Sequence, residues 1–186
     1  MKLLLLFGVQ GSGKGTQAKL IAQKHNYSIF EPGAKCREIA KLDTPLGIEI
    51  KETINSGKLV SSSHIKKLIE TFLSETQNQK IIFDGYPRNQ EQYETFLEIV
   101  KEHNLEYKGI NFELSKEEAI KRLIKRAEIE NRADDTPEVI EKRISIFYED
   151  TLPIVKELEN QNKITIINAD DTIENIQDSI NNKIEL

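Results

Sequence analysis

Residues 8–17 read Gly8-Val9-Gln10-Gly11-Ser12-Gly13-Lys14-Gly15-Thr16-Gln17, directly after an apolar run at 3–7 and directly before a helical pattern. Glycines let the chain turn tightly and aim successive backbone N–H groups at an anion, and a helix starting there adds its partial positive charge. Lys14 is placed to reach outer phosphates, and Thr16 offers a hydroxyl to magnesium. A glycine-rich turn that binds nothing would not need lysine, hydroxyl and strand–loop–helix context together. The stretch reads as a loop cradling the phosphates of a nucleoside triphosphate.

Outward from this loop the chain alternates. Apolar runs recur at 27–30, 81–83, 109–114 and 164–167, separated by stretches of helical periodicity such as Leu68-Ile69-Phe72-Leu73 and Ile120-Leu123-Ile124-Ala127. Apolar strands without polar alternation, each followed by a helix, predict an α/β protein with a parallel sheet buried on both faces. Ser115 with Glu118, and Thr136 before Pro137, mark helix starts, while Pro153 predicts a break within 139–159.

The 186 residues suffice for one domain with a full core. Mean hydropathy of -0.50 leaves no room for a membrane span, and the apolar run at 3–7 is too short for a secretory signal. Cys36 is the single cysteine, which excludes an intramolecular disulfide framework or a clustered-thiolate metal site and points to a reducing, cytosolic setting. A net charge of -5 argues against a nucleic-acid binder. Cations that handle phosphate must therefore be gathered at one place. The three histidines are expected on exposed helix faces.

After the third strand run comes Asp84-Gly85-Tyr86-Pro87-Arg88, an acid at the strand's C-terminal end with an arginine just beyond. In a parallel sheet that edge borders the nucleotide crevice, where a carboxylate can hold magnesium's water shell. A signalling GTPase would need an Asp-x-x-Gly switch and an Asn-Lys-x-Asp base reader. Asp84 is followed by Gly85-Tyr86-Pro87 and Asn162-Lys163 by Ile164-Thr165, so that class is excluded.

Seven ordered segments, GVQGSGKGTQ at 8–17, PGAKCR at 32–37, SGKLV at 56–60, FDGYPRNQEQ at 83–92, KRLIKR at 121–126, NRADD at 131–135 and EKRI at 141–144, resemble the adenylate kinase branch of the nucleoside monophosphate kinases. The resemblance implies a P-loop NTPase-type three-layer sandwich with a five-stranded parallel sheet. It divides the chain into a core (1–30, 61–125 and 138–186), a monophosphate-binding excursion (31–60) and a short lid (126–137). It implies that Gly11, Ser12, Gly13, Lys14, Gly15 and Thr16 hold the donor ATP phosphates, with Arg122 and Arg126 on the same side and Asp171 against the donor adenine. Pro32, Gly33, Arg37, Lys58, Leu59, Val60, Gly85, Tyr86, Pro87, Arg88 and Gln92 match the acceptor pocket. Arg132 and Arg143 match arginines that clamp the transferring group, Asp134 and Asp135 the paired lid acids, and Thr16 and Asp84 the magnesium site. Only five residues separate Arg126 from Arg132, so the longer lid that carries structural zinc in some relatives has no room.

Phosphoryl transfer between nucleotides joins two polyanions, so catalysis is mostly positioning and charge stabilisation, and arginine forks suit phosphate oxygens. No protein nucleophile is needed. The chain departs from the family at Gln10, usually proline, at Pro32-Gly33-Ala34, usually Thr-Gly-Asp, and at Asp171, a glycine in short-lid relatives. Pro32 removes a hydroxyl that meets the acceptor base, and Ala34 an acid near the phosphate. Gln92 favours AMP as acceptor, whereas Pro32 and Asn89 keep UMP/CMP kinases open. A monomeric, cytosolic adenylate kinase using Mg2+ with ATP is the favoured reading. A catalytically silent nucleotide sensor of the same fold is the alternative from another class.

Overall fold

The computed structural model describes residues 1–130 and 136–186. Five strands, β1 (Lys2–Gly8), β2 (Ser28–Phe30), β3 (Lys80–Asp84), β4 (Glu106–Glu113) and β5 (Ile164–Asn168), form one sheet in the order β2-β3-β1-β4-β5. Every neighbouring pair is parallel, with Leu4 opposite Ile82 on one side and Lys108 on the other. The α/β three-layer sandwich expected from the sequence is the observed fold. β4 begins three residues before its apolar run. Glu106, Tyr107 and Lys108 pair with Lys2, Leu3 and Leu4 at the sheet's outer end, where polar side chains reach water.

Parallel strands need crossovers, and helices supply them: α1 (Lys14–His25), α2 (Pro32–Ile39), α3 (Pro45–Asn55), α4 (Ser62–Glu75), α5 (Gln90–Glu102), α6 (Lys116–Glu130), α7 (Pro137–Ile146), α8 (Leu152–Asn160) and α9 (Ile173–Lys183). Local sequence starts several of them. Thr44, Ser61, Asn89, Thr136 and Thr172 each accept a hydrogen bond from the third residue beyond, which satisfies a helix-end N–H. Pro45 and Pro137 follow their caps, where a missing N–H costs nothing. The break expected near Pro153 takes the form of a π-helical turn, Phe147–Thr151, between α7 and α8.

The sheet separates two cores. Leu4, Leu6, Ile82, Ile110 and Ile167 face one, which α1, α6 and α9 cover with Ile21, Leu123 and Ile180. Leu3, Leu5, Phe7, Ile81 and Phe83 face the other, closed by Ile69, Phe96 and Leu158. At about 1.5–3 kcal/mol per buried aliphatic or aromatic side chain, these faces hold the sheet's C-terminal edge rigid, and that edge carries the site.

The histidines depart from expectation. His103 is exposed behind α5, but His25 and His64 are half-buried. His25 ends α1, which packs between β2, β3 and α9, and His64 folds its Nδ1 to 2.9 Å from Ser61 Oγ in the first turn of α4.

Candidate active site

β1 ends at Gly8, with φ 141°, where a side-chain carbon would come within 2.7 Å of the Phe112 carbonyl. No other residue fits that approach. The chain turns through Gly11 and Gly13, both at positive φ, and enters α1 at Lys14 with no side chain capping the helix start. The Thr16 N–H donates to the Gly13 carbonyl at 3.0 Å, and the partial positive charge of the helix start suits an anion. Ser12 is buried inside the loop, while Thr16 is exposed in the helix's first turn.

Lys14 bends back over the loop. Its Nζ donates to the carbonyls of Gly8 at 2.7 Å and Val9 at 3.1 Å. Burial holds its pKa down to about 8, an effect opposed by Asp84 and deepened by Arg88 and Arg126. Asp84, at the end of β3, is buried, and desolvation pushes its carboxyl above the usual range, with Lys14 pulling the other way. Gly15 keeps this acid close to the loop: its missing side-chain carbon would lie 3.4 Å from Asp84 Oδ2.

The turn after β3 builds a second cation site. Gly85, at φ 70°, donates its N–H to the Leu6 carbonyl at 3.0 Å, and Arg88 Nε donates to the Gly85 carbonyl at 2.7 Å. The Arg88 N–H donates to Gln92 Oε1 at 2.9 Å, and the Tyr86 hydroxyl donates to the Gln92 carbonyl at 3.0 Å. Thr151, at the end of the π-helical turn, donates its hydroxyl to the Arg88 carbonyl at 2.7 Å. Desolvation first, then the nearby Arg143 charge, hold the Arg88 guanidinium below its ordinary pKa. Cations crowded this way are relieved by a polyanion.

A cleft of about 490 Å³ joins the two sites. Gln10, Gly11, Gly13, Lys14, Gly15 and Thr16 line one side, with Arg122 and Arg126 one helical turn apart on α6. The same cleft is lined by Pro32, Gly33, Arg37, Lys58, Leu59, Val60, Gly85, Tyr86, Arg88 and Gln92, with Arg143 of α7. Arg122 is held by Glu118 at 3.1 Å, Asp170 at 3.2 Å and the Ala169 carbonyl at 3.0 Å.

Other expected residues are not among those lining this cleft. Pro87 lines a smaller cavity behind the cleft, with Phe147 and Thr151. Asp171 does not line the cleft. It accepts from the Thr172 N–H and from Asn175 Nδ2, both at 2.7 Å, and the Asn175 bond, followed by the Thr172 N–H, holds its carboxyl below the usual range. Arg132, Asp134 and Asp135 fall outside the described residues.

Two contributors were missed in the sequence. Glu31 lines the cleft and grips Arg37 Nη2 at 2.8 Å, so an acid stands beside the phosphate side although position 34 is alanine. Its place directly after β2, at a strand's C-terminal end, was the available signal. Thr151 had none. Asn89, read as a mark of pyrimidine kinases, serves its own helix, since its Oδ1 accepts the Gln92 N–H at 2.9 Å to start α5.

A family model described as adenylate kinase matches residues 6–163. The chain is 34% identical over 184 residues to an adenylate kinase of Prochlorococcus marinus (strain MIT 9301), covering 98% of each chain. It is 34% identical over 186 residues to adenylate kinase 1 of Schistosoma mansoni, covering 99% of this chain and 93% of that one. It is 32% identical over 179 residues to UMP-CMP kinase 1 of Oryza sativa subsp. japonica, covering 96% of this chain and 72% of that one. A glycine-rich loop and several arginines lining one cleft, on a sheet of this order, go with a family model over residues 6–163 and relatives matched nearly end to end: the chain belongs to the adenylate kinase family of ATP-dependent nucleoside monophosphate phosphotransferases.

Proposed function

We propose that the protein transfers the γ-phosphoryl group of ATP to AMP, reversibly, giving two ADP. The observation that carries this reading is that Lys14, Arg37, Arg88, Arg122, Arg126 and Arg143 line one cleft together. Donor phosphates sit on the loop, with Gly11, Ser12, Gly13, Lys14, Gly15 and Thr16 around them and Arg122 and Arg126 alongside. The acceptor lies against Gly33, Arg37, Lys58, Leu59, Val60, Gly85 and Arg88. A phosphate oxygen of AMP attacks the γ-phosphorus in line as the bond to the β-phosphate oxygen breaks. Lys14, Arg88, Arg126 and Arg143 offset the charge that spreads over the moving group. On the sequence resemblance alone, Arg132 joins the arginines that clamp the moving group, and Asp134 and Asp135 belong to the lid. Closure excludes water, which would otherwise take the phosphoryl group.

Mg2+ fits the residues present. Asp84 is a buried carboxylate held above its ordinary pKa, a group that a hard cation would stabilise in its charged form, and Thr16 adds a hydroxyl oxygen. Among the described residues no three His, Cys, Asp or Glu side chains gather into a metal cluster, so phosphates and water would complete the shell. Bound there, the ion would neutralise charge on the phosphates.

Gln92 supports AMP because it matches the adenine-reading amide of the family it resembles. Its amide oxygen accepts the Arg88 N–H, which fixes the side chain beside the cleft. The absence of a hydroxyl at Pro32 and the kinship to a UMP-CMP kinase support pyrimidine monophosphates as the second reading. A cleft completed by one chain's own residues supports a monomer, and a lone, buried Cys36 suits a reducing cytosol. Coupled assays with Mg-ATP against AMP, UMP, CMP, GMP and dTMP test the proposal. Turnover on AMP is expected, turnover on pyrimidines alone moves the assignment to the second reading, and nucleotide binding without any turnover moves it to a sensor.

A further inference from the structure

Glu31 occupies the N-cap position of α2, where an acid ordinarily accepts a hydrogen bond from the first turn. It makes no such bond. Its carboxylate reaches sideways instead, and Oε1 accepts from Arg37 Nη2 at 2.8 Å. Both side chains keep substantial exposure, 41% for Glu31 and 35% for Arg37, so water and solutes reach the pair. A side-chain carbon placed on Gly33 would lie 3.3 Å from Arg37 Nη1, 3.6 Å from Arg88 Nη2 and 3.8 Å from Glu31 Oε1. Two guanidinium groups and one carboxylate thus surround one small volume above a glycine. Glu31 also acts electrostatically on Lys14, Asp84 and Arg88, which puts its charge inside the cleft's field.

A phosphate monoester seated between Arg37 and Arg88 would take the same guanidinium face that Glu31 holds. Both are oxyanions, and arginine's planar fork accepts either, but the phosphate brings more charge and a third oxygen. The exchange is therefore feasible, and it is opposed by the ion pair that must first be broken.

We propose that Glu31 is an internal counter-ion that competes with the acceptor's phosphate for Arg37 and so sets the acceptor's affinity. The acceptor's being a monophosphate rests on the function proposed above; the competition for an oxyanion does not. When the acceptor side empties, Glu31 re-pairs with Arg37 and keeps that guanidinium aimed at the cleft. Donor binding on the loop side involves neither group directly.

Glu31→Gln keeps the shape and removes the charge. Titration calorimetry with inorganic phosphate on the wild type, Glu31→Gln, Arg37→Ala and the double variant reads the competition without relying on turnover. Phosphate is expected to bind Glu31→Gln about threefold tighter or more, the order set by no longer breaking a half-exposed ion pair. That gain is expected to vanish in the Arg37→Ala background. In steady-state assays KM for the acceptor should fall by a larger factor than KM for ATP. Phosphate affinity that is unchanged or weaker in Glu31→Gln overturns the proposal, as does a gain that survives Arg37→Ala. If the wild type turns over only pyrimidine monophosphates, or none at all, the AMP assignment fails while the phosphate titration still decides the role of Glu31.

Discussion

Lys14 holds its ammonium against the Gly8 and Val9 carbonyls of its own loop, in a site drawn out of water and shared with Arg88 and Arg126. Its pKa of about 8 in the free protein has two consequences of known sign. The unfolded chain binds this proton more tightly, so the destabilisation from burying the charge is present in full below pH 8 and is relieved as pH rises beyond it toward 10.5. Donor phosphates favour the charged form, so nucleotide binding should take up protons above pH 8, and KM for ATP should rise between about pH 7 and pH 9. Calorimetry in buffers of different ionisation heat measures the uptake; a flat KM and no uptake would remove Lys14 from the donor site. Arg88 is tested by truncation. Its backbone N–H and carbonyl are held by Gln92 and Thr151, contacts that alanine keeps, so Arg88→Ala should fold normally and lose about a hundredfold or more in turnover. A near-normal rate in a folded variant would refute its place at the moving phosphoryl group.

Helix ends were legible because capping is local. Ser115 accepts the Glu118 N–H at 3.2 Å, and Thr136 with Pro137 opens α7, as the residues themselves announced. The π-helical turn at Phe147–Thr151 was legible only as a break near Pro153, since the widened turn is settled by what its residues pack against. That turn buries Thr151 and delivers its hydroxyl to the Arg88 carbonyl, 63 residues earlier in the chain. Thr151→Val keeps the volume and removes the bond. An unsatisfied carbonyl costs about 1–3 kcal/mol, so the variant should melt at lower temperature and, with the Arg88 turn loosened, lose turnover on every acceptor alike. Unaltered melting and turnover together would show that the bond positions nothing. β4 makes the complementary point: its polar first turn was invisible to an apolar-run reading and is fixed by pairing with β1.

A net charge of -5 is compatible with a polyanion site because the molecule concentrates guanidinium groups along one edge of its sheet. The proposed donor side is built on β1 and α1, at the centre of the sheet. Much of the proposed acceptor side belongs to residues 31–60, whose α2 and α3 join the core beside β1 and β3 through Cys36 and Ile50. On the proposed function, in which residues 31–60 and the segment 126–137 open and close over the nucleotides, turnover is expected to be limited by product release. Rapid-quench experiments should then show a burst of product faster than the steady rate; equal single-turnover and steady-state rates would place the limit on chemistry.

The amino-acid sequence by itself determined the glycine-rich loop between strand and helix, the strand runs and most helix starts, because each is written in a few adjacent residues or a short repeat. Tertiary structure alone decided that Glu31 pairs with Arg37, that Thr151 holds Arg88, and that Arg122 of α6 is held by the Ala169 carbonyl and Asp170 beyond β5. Hydrogen bonds and ion pairs act over about 3 Å, so a side chain's partner is chosen only when packing brings distant segments together, and no local pattern encodes that meeting.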